Sequence, residues 1–234
     1  MTTSAGVMDA LAEVYDPELD EPITRLGFVT RCEVSPDGDV EVALRLPTPQ
    51  CAPNFAFLMA ADARTAVRRL EGVRAVTIRL EDHYTGNEIN AAIGRGEGFS
   101  GAFPGETDDD DLTALRDLFL RKALVGRQSR ICESLMRGGS NPAEVAATRL
   151  ADLPDNPDTR RCIALRRHLG LPHDPEAPAF ILPSGQPVTA AELTRWLRMA
   201  RLMRLSLEVN GGICRSLLRV HRGIQIDDPE EVLT

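Results

Sequence analysis

The stretch FVTRCEVSPDGDVEVALRLPTPQCAP, residues 28–53, decides how the chain folds. Its first part places Phe28, Cys32 and Val34 on one side. Its second places Val40, Val42, Leu44 and Leu46 on one side, with Glu41 and Arg45 pointing away. A period of two is the mark of a strand with one buried face. Between the two runs, Ser35-Pro36-Asp37-Gly38 is turn chemistry, so residues 28–46 read as a hairpin. The prolines at 47, 49 and 53 end the second strand, because they cannot donate to a ladder.

Working outward, Phe55, Leu58, Met59 and Val67 recur at helical spacing from Pro53 to about Leu70, where Glu71-Gly72 closes the helix. Val73–Leu80 follows as a third strand, with Val76, Ile78 and Leu80 on one face. Upstream, Val7, Met8, Leu11, Val14 and Tyr15 make the apolar face of a helix from Ser4 to Tyr15. Asp16-Pro17 stops it, since the residue before a proline is pushed out of helical geometry. Glu18 to Pro22 is then an acidic loop. The order helix, hairpin, helix, strand predicts an α+β domain over residues 1–82, a small sheet with helices packed on it.

Residues 83–110 read as a linker, punctuated by glycines, with room for a short helix around Asn87–Ile93. Gly94-Arg95-Gly96-Glu97-Gly98 has neither the Walker pattern nor a dinucleotide fingerprint. The acidic run Asp108–Asp111 marks a helix N-terminus, where the helix dipole favours acids. From 111 to 234 the chain reads as an all-α domain. Asn141-Pro142-Ala143-Glu144 and Thr189-Ala190-Ala191-Glu192 are helix starts. Arg160–Leu169 is a short helix closed by Gly170. The longest helix carries Leu193, Trp196, Leu197, Ala200, Met203 and Leu207, and Asn210-Gly211-Gly212 interrupts it. Pro172–Pro187 is an irregular stretch with five prolines.

The net charge of -8 lies in the first part: residues 1–106 hold nine arginines against 17 carboxylates, and the remainder balances. Neither part has the basic excess of a nucleic-acid binder. No apolar run is long enough to span a bilayer and no leader pattern opens the chain, so the expected location is cytoplasmic. The five cysteines, Cys32, Cys51, Cys132, Cys162 and Cys214, form no C-x-x-C pair and no zinc-ribbon spacing.

Cys51 is the leading candidate for chemistry. It precedes a helix N-terminus, whose dipole and unpaired N–H groups favour the thiolate that binds metal. Asp16 and Glu18 flank Pro17 on a rigid loop, where carboxylates can ligate a hard metal or receive a partner's arginines. His83, directly after the third strand, is a further potential ligand. Arg195, Arg198, Arg201 and Arg204 recur every third residue on the long helix and read either as a solvated face or as a docking stripe for an acidic partner. A thiol enzyme would need a base near Cys51. His83, His168, His173 and His221 lie in no catalytic motif, so the chain reads as a non-enzyme.

Met8–Asp82 resembles the domain shared by SufT-like and PaaD-like metal–sulfur cluster assembly factors. The matching features are Asp16-Pro17-Glu18-Leu19 at the end of the first helix and Leu26-Gly27-Phe28-Val29 opening the hairpin. Thr48-Pro49-Gln50-Cys51 before the second helix and the Gly72-Val73 strand complete the pattern. The family's cysteine maps onto Cys51. Family members usually carry proline directly after it, whereas Ala52 stands between Cys51 and Pro53 here. The rest of the chain resembles the extension of some actinobacterial members found near soluble di-iron monooxygenases, on Glu88-Ile89-Asn90, Phe103-Pro104-Gly105-Glu106 and Leu207-Glu208-Val209-Asn210-Gly211. The resemblance implies a maturation factor that delivers iron or an iron–sulfur cluster, held transiently, to a client metalloenzyme such as a di-iron monooxygenase subunit. Cys51, Asp16, Glu18 and His83 would be its ligands. Because one cysteine cannot close a cluster site, a cluster would be bridged across a homodimer, shared with a partner, or completed by carboxylate or His. The alternative is a metal-free adaptor that binds its client through loops and C-terminal helices.

Overall fold

The computed structural model describes residues 2–107, 110 and 112–222. They divide into two compact units, one comprising the chain up to Thr113 together with the segment from Asn210, the other Ala114–Val209.

In the first unit, α1 (Ser4–Leu11) is capped by Thr3, whose hydroxyl oxygen accepts from the Gly6 N–H at 3.2 Å. The helix stops short of Tyr15, because the chain there folds into a tight loop. β1 (Tyr15–Asp16) pairs antiparallel with β2 (Glu21–Pro22), and the Ile23 N–H donates to the Val14 carbonyl at 2.9 Å. Val14 still reaches the core.

β3 (Val29–Val34) and β4 (Asp39–Arg45) form the expected hairpin. α2 (Pro53–Arg68) crosses over, and β5 (Ala75–Glu81) joins the other side of β4 in parallel, giving the order β3-β4-β5. One detail departs from strict alternation. The register shifts between Val29 and Arg31, so Val29, not Phe28, lies opposite Leu44. An extra residue in one strand produces this offset. Val29, Cys32 and Val34 thus share a face with Leu44, Val42 and Val40, and with Leu80, Ile78 and Val76. On the other face, Glu41 receives Arg31 at 2.7 Å and Arg79 at 3.1 Å. These pairs are exposed and contribute little.

The hairpin turn has a strict requirement at Gly38, which sits at φ +86 with Gly72 pressed against it. A Cβ at Gly38 would stand 2.3 Å from the Gly72 carbonyl oxygen. Gly38→Ala is expected to lower stability by about 2 kcal/mol, from backbone strain alone. Urea unfolding measures this, and an unchanged midpoint would refute the reading.

The stretch read as a linker is folded. α3 (Gly86–Arg95) buries Ile89, Ala92 and Ile93, and α4 (Phe99–Ala102) buries Ala102. The Asn90 side chain accepts from the Leu80 N–H at 2.8 Å and donates to the Leu80 carbonyl at 3.0 Å, like one more rung of the sheet. Phe99 stacks edge-on to Phe57 of α2 at 5.4 Å and packs on Phe103 at 4.9 Å. The glycines mislead because Gly96 is a left-handed helix cap, not a sign of free chain. Of the acidic run 108–111, only Asp110 falls within the described residues.

The second unit is helical: α5 (Thr113–Arg137), α6 (Pro142–Ala147), α7 (Pro157–His168) and the first part of α8 (Ala190–Arg222). Asn141 and Glu144 form the expected capping box. At Thr189 the box is half made: its hydroxyl donates to the Glu192 carboxylate at 2.7 Å rather than accepting from the helix. The core includes Leu124, Ile131, Cys162, Leu165, Phe180, Ile181, Trp196 and Leu197. Phe180 and Ile181 come from the proline-rich stretch, which thus supplies part of the core. α8 runs unbroken through Asn210-Gly211-Gly212, against the expected interruption. Among the described residues, no helix is long and apolar enough to cross a membrane.

Candidate thiol and carboxylate site

Asp16 organises the first loop. Its Oδ1 accepts from the Glu18 N–H at 2.8 Å and the Leu19 N–H at 2.9 Å. This is the local capping habit of aspartate, and it explains why the chain turns here instead of continuing α1. The carboxylate is buried. Burial pushes it up from 3.8 to about 6; the two N–H bonds pull the other way, and Glu18 and Glu21 add to the rise.

Cys51 lies in the second loop, one residue before Ala52, which is the cap residue of α2, and Pro53 opens the helix. The inserted Ala52 is extended at φ -57, ψ 128, the geometry a following proline imposes. Ala52 offers no side-chain cap; instead Asn54 Oδ1 accepts from the Phe55 N–H at 2.9 Å in the helix's first turn. The Cys51 Sγ meets the Thr48 hydroxyl at 3.6 Å.

His83 stands behind this loop. Its Nε2 donates to the Cys51 carbonyl oxygen at 2.8 Å, and Nδ1 accepts from the Thr85 N–H at 3.3 Å. The carbonyl can only accept, which fixes the neutral tautomer with the proton on Nε2. Both nitrogens are thus used in holding the loop, and His83 positions Cys51 instead of offering a lone pair to a ligand. The Tyr84 N–H does the same for Pro49 at 3.1 Å.

Sequence reasoning missed the third component, which comes from α8. The Asn210 amide donates to Glu18 Oε1 at 3.0 Å, and Arg215 Nη1 donates to Glu21 Oε1 at 2.9 Å. Both side chains of the Arg215–Glu21 pair are largely buried, at 10% and 19% exposure. Gly211 makes this possible. A Cβ there would meet the Arg215 guanidinium at 3.1 Å, so the glycine leaves a groove in which Arg215 lies. Between these anchors sits Cys214, whose thiol is pushed up to about 11 by burial and then by the nearby Asp16, Cys51 and Glu18. No short-range pattern could have announced Cys214. The one sequence signal was the Gly211-Gly212 pair inside an otherwise helical run.

The arginine stripe divides. Arg201 reaches Glu133 of α5 at 2.5 Å, and Arg204 reaches Glu133 at 3.2 Å and Glu208 at 3.3 Å. Arg195 and Arg198 are exposed. A three-residue spacing drifts around a helix of 3.6 residues per turn, so the four arginines do not share a face.

Among the described residues, no three or more His, Cys, Asp or Glu side chains are arranged to hold a metal ion. Thiolate and carboxylate are donors that suit iron, and Cys51, Asp16 and Glu18 stand on two loops of the first unit.

Residues 4–79 match the family model described as iron-sulfur cluster assembly protein. The chain is 34% identical over 80 residues to an Fe-S protein maturation auxiliary factor of Porphyromonas gingivalis, covering 34% of this chain and 74% of that one. The chain belongs to the iron–sulfur cluster assembly family. An uncharacterized protein of Methanocaldococcus jannaschii is similar at 34% identity over 93 residues, 40% of this chain and 96% of that one. The iron-sulfur cluster carrier protein of Mycobacterium tuberculosis is 37% identical over 78 residues, 33% of this chain and 20% of its own length. The family match therefore includes the Asp16 and Cys51 loops and stops within β5, short of His83, Cys214 and the whole second unit.

Proposed function

We propose that the protein is a maturation factor that hands iron or an iron–sulfur cluster to a client metalloenzyme, and that it is not itself a catalyst. The reading is carried by Cys51, the family's cysteine, presented just before the start of α2 and braced from behind by His83. Cys51 is the exchange thiol. Asp16 and Glu18 assist as ligands or as the loop on which a partner's cations dock. Residues 1–82 are the assembly domain, and the helical region from 111 onward recognises the client, a soluble di-iron monooxygenase hydroxylase being our reading of which. The protein acts in the cytoplasm.

Client recognition has support on one face of α8. Arg195, Arg198, Met199, Leu202 and Leu205 fall on a common side at spacings of three and four residues. All are exposed, Met199 and Leu202 at 61% and 63%. A mixed basic and apolar face of this kind suits an acidic amphipathic surface. The same face favours the second reading, a metal-free adaptor or one half of a homodimer.

The test is an anaerobic pull-down of the tagged full chain from its native host, with iron and acid-labile sulfide measured on the eluate. Wild type is expected to retain iron, and Cys51→Ser, equally folded by circular dichroism, to lose at least about tenfold. Iron retained in full by Cys51→Ser would remove Cys51 from the role. A partner recovered without iron, whatever stands at position 51, would establish the adaptor.

A further inference from the structure

We propose that the outer edge of β5 is a docking site for an extended, acidic segment of a partner protein, which adds to the sheet as a fourth strand and sets its carboxylates beside Arg64 and Arg79. The inference goes beyond the maturation reading. It concerns residues of the first unit other than Cys51 and the acidic loop, and it stands or falls separately from iron.

β5 ends the order β3-β4-β5, so one of its edges is bonded to β4 and the other is not. The peptide groups of successive residues alternate between the two edges of a strand. At Leu80 both the N–H and the carbonyl are taken from outside the sheet, by the Asn90 side chain at 2.8 and 3.0 Å. Leu80 therefore turns its peptide groups away from β4, and so do Ile78 and Val76, two and four residues back. Among the described residues, neither has a backbone partner outside the ladder. Asn90 does at Leu80 what a neighbouring strand would do; at Ile78 and Val76 that place is open.

This edge opens on a groove walled by Ile93 and Gly94 of α3 and by Arg64 of α2. Gly94 keeps the wall low, since a Cβ there would meet nothing within 4 Å. Added strands bind through such an edge by main-chain hydrogen bonds, and their alternate side chains set the specificity. Charge selects the occupant here. Among the described residues, the groove is lined by two guanidinium groups, those of Arg64 and Arg79, and by no carboxylate, although it lies in the acidic part of the chain. Arg79 is shared with Glu41 on the outer face of the sheet at 3.1 Å. The Arg64 Nε is shielded from solvent and has no hydrogen-bond partner, a costly state that an incoming acceptor relieves. Successive side chains of a strand point to opposite faces, so neighbouring carboxylates on one segment serve Arg64 on the helical face and Arg79 on the outer one. A second copy of this chain fits worse, because edge-to-edge pairing would bring the arginines of both protomers together.

The probe is a capped peptide of alternating valine and glutamate, titrated into the 15N-labelled full chain and followed by its amide and arginine Nε–H resonances. Binding should move the Val76 and Ile78 amides and the Arg64 Nε–H together, and the lysine counterpart of the peptide should not bind. Arg64→Gln should weaken the peptide about tenfold, through loss of a charge-assisted bond. Val76→Pro removes an outward N–H and no ladder bond, a place where an edge strand tolerates proline, and should weaken it by at least about tenfold. Gly94→Glu sets a like charge on the groove wall, on an exposed turn of α3 with room for a side chain, and should weaken it in the same direction; it and Arg64→Gln keep the test decisive if Val76→Pro fails to fold. Undiminished binding by Arg64→Gln and Gly94→Glu, or shifts that leave Val76 and Ile78 unmoved, would mean unspecific attraction and overturn the proposal. A dimer by light scattering without peptide, dissociated by Val76→Pro, would give the edge to a second copy and overturn it too. Iron retention is measured separately, so failure here leaves the maturation reading in place.

Discussion

Replacing Arg166 with alanine is expected to unfold the helical unit, with a loss of about 3–5 kcal/mol. The side chain is among the largest fully buried ones in the molecule. Nη1 donates to the Pro178 carbonyl at 2.7 Å and the Pro172 carbonyl at 3.3 Å, and Nη2 donates to the Ala179 carbonyl at 2.5 Å and Gln128 Oε1 at 2.9 Å. Gln128 completes the arrangement: its Oε1 accepts from the Ile181 N–H at 2.8 Å and its Nε2 donates to the Ile181 carbonyl at 3.2 Å. The proline-rich stretch cannot form a ladder of its own, yet it supplies Phe180 and Ile181 to the core. Arg166 and Gln128 are what satisfy its backbone there. Burial pushes the guanidinium below its ordinary value, but arginine stays charged in proteins. Alanine would take the guanidinium from three carbonyl oxygens, each costing about 1–3 kcal/mol when left unpaired, and leave Gln128 Oε1 with only the Ile181 N–H. Lysine should not rescue, because one ammonium cannot span the fork that two nitrogens reach. Trp196, the single tryptophan, lies 6.1 Å from Phe180 and reports this region by fluorescence. A wild-type emission spectrum and urea midpoint in Arg166→Ala would defeat the argument.

Arg166 also marks where the sequence stops being readable. The first unit was legible because its information is local: alternation in residues 28–46, prolines that end a strand, a turn at Gly38. The place of Cys51 in the chain was legible for the same reason, since it stands between a broken strand and a helix start. Residues 83–107 were misjudged because glycine density resembles free chain, whereas Ile89, Ala92 and Ile93 already spelled a buried helical face. Arg166 was one arginine in an arginine-rich chain, on a helix whose polarity suggests a surface. Nothing at short range says that its partners are carbonyls on a distant proline-rich stretch. Cys214 shares that difficulty. Its place on the side of α8 that bonds the acidic loop depends on the helix continuing past Gly211-Gly212, a pair that local propensity reads as a stop. At Gly211 the missing Cβ leaves room for the Arg215 guanidinium, which reaches Glu21; nothing in the structure explains Gly212.

Asp16→Asn is expected to stabilise the protein at pH 8 by about 2–3 kcal/mol and to have little effect near pH 4. The carboxylate's folded value, about 6, stands above 3.8. Below pH 4 both folded and unfolded chains hold the proton. Between pH 4 and 6 the unfolded chain releases it while the folded chain keeps it, so stability falls as the pH rises through this window. Above 6 the full difference, ~3 kcal/mol, has been lost. Asparagine retains the oxygen that accepts from the Glu18 and Leu19 N–H groups but carries no charge to bury. Urea unfolding of wild type and variant at pH 5 and pH 8 measures the difference. A gain that is the same at both pH values would mean that ionisation of Asp16 is not the cause. A carboxylate kept where its neutral amide would be more stable points to a use for the charge. If that use is to meet iron or a partner's arginine beside Cys51, Asp16→Asn should be the sturdier protein and the weaker binder of Co2+. A variant both more stable and undiminished in Co2+ affinity would take Asp16 out of the site.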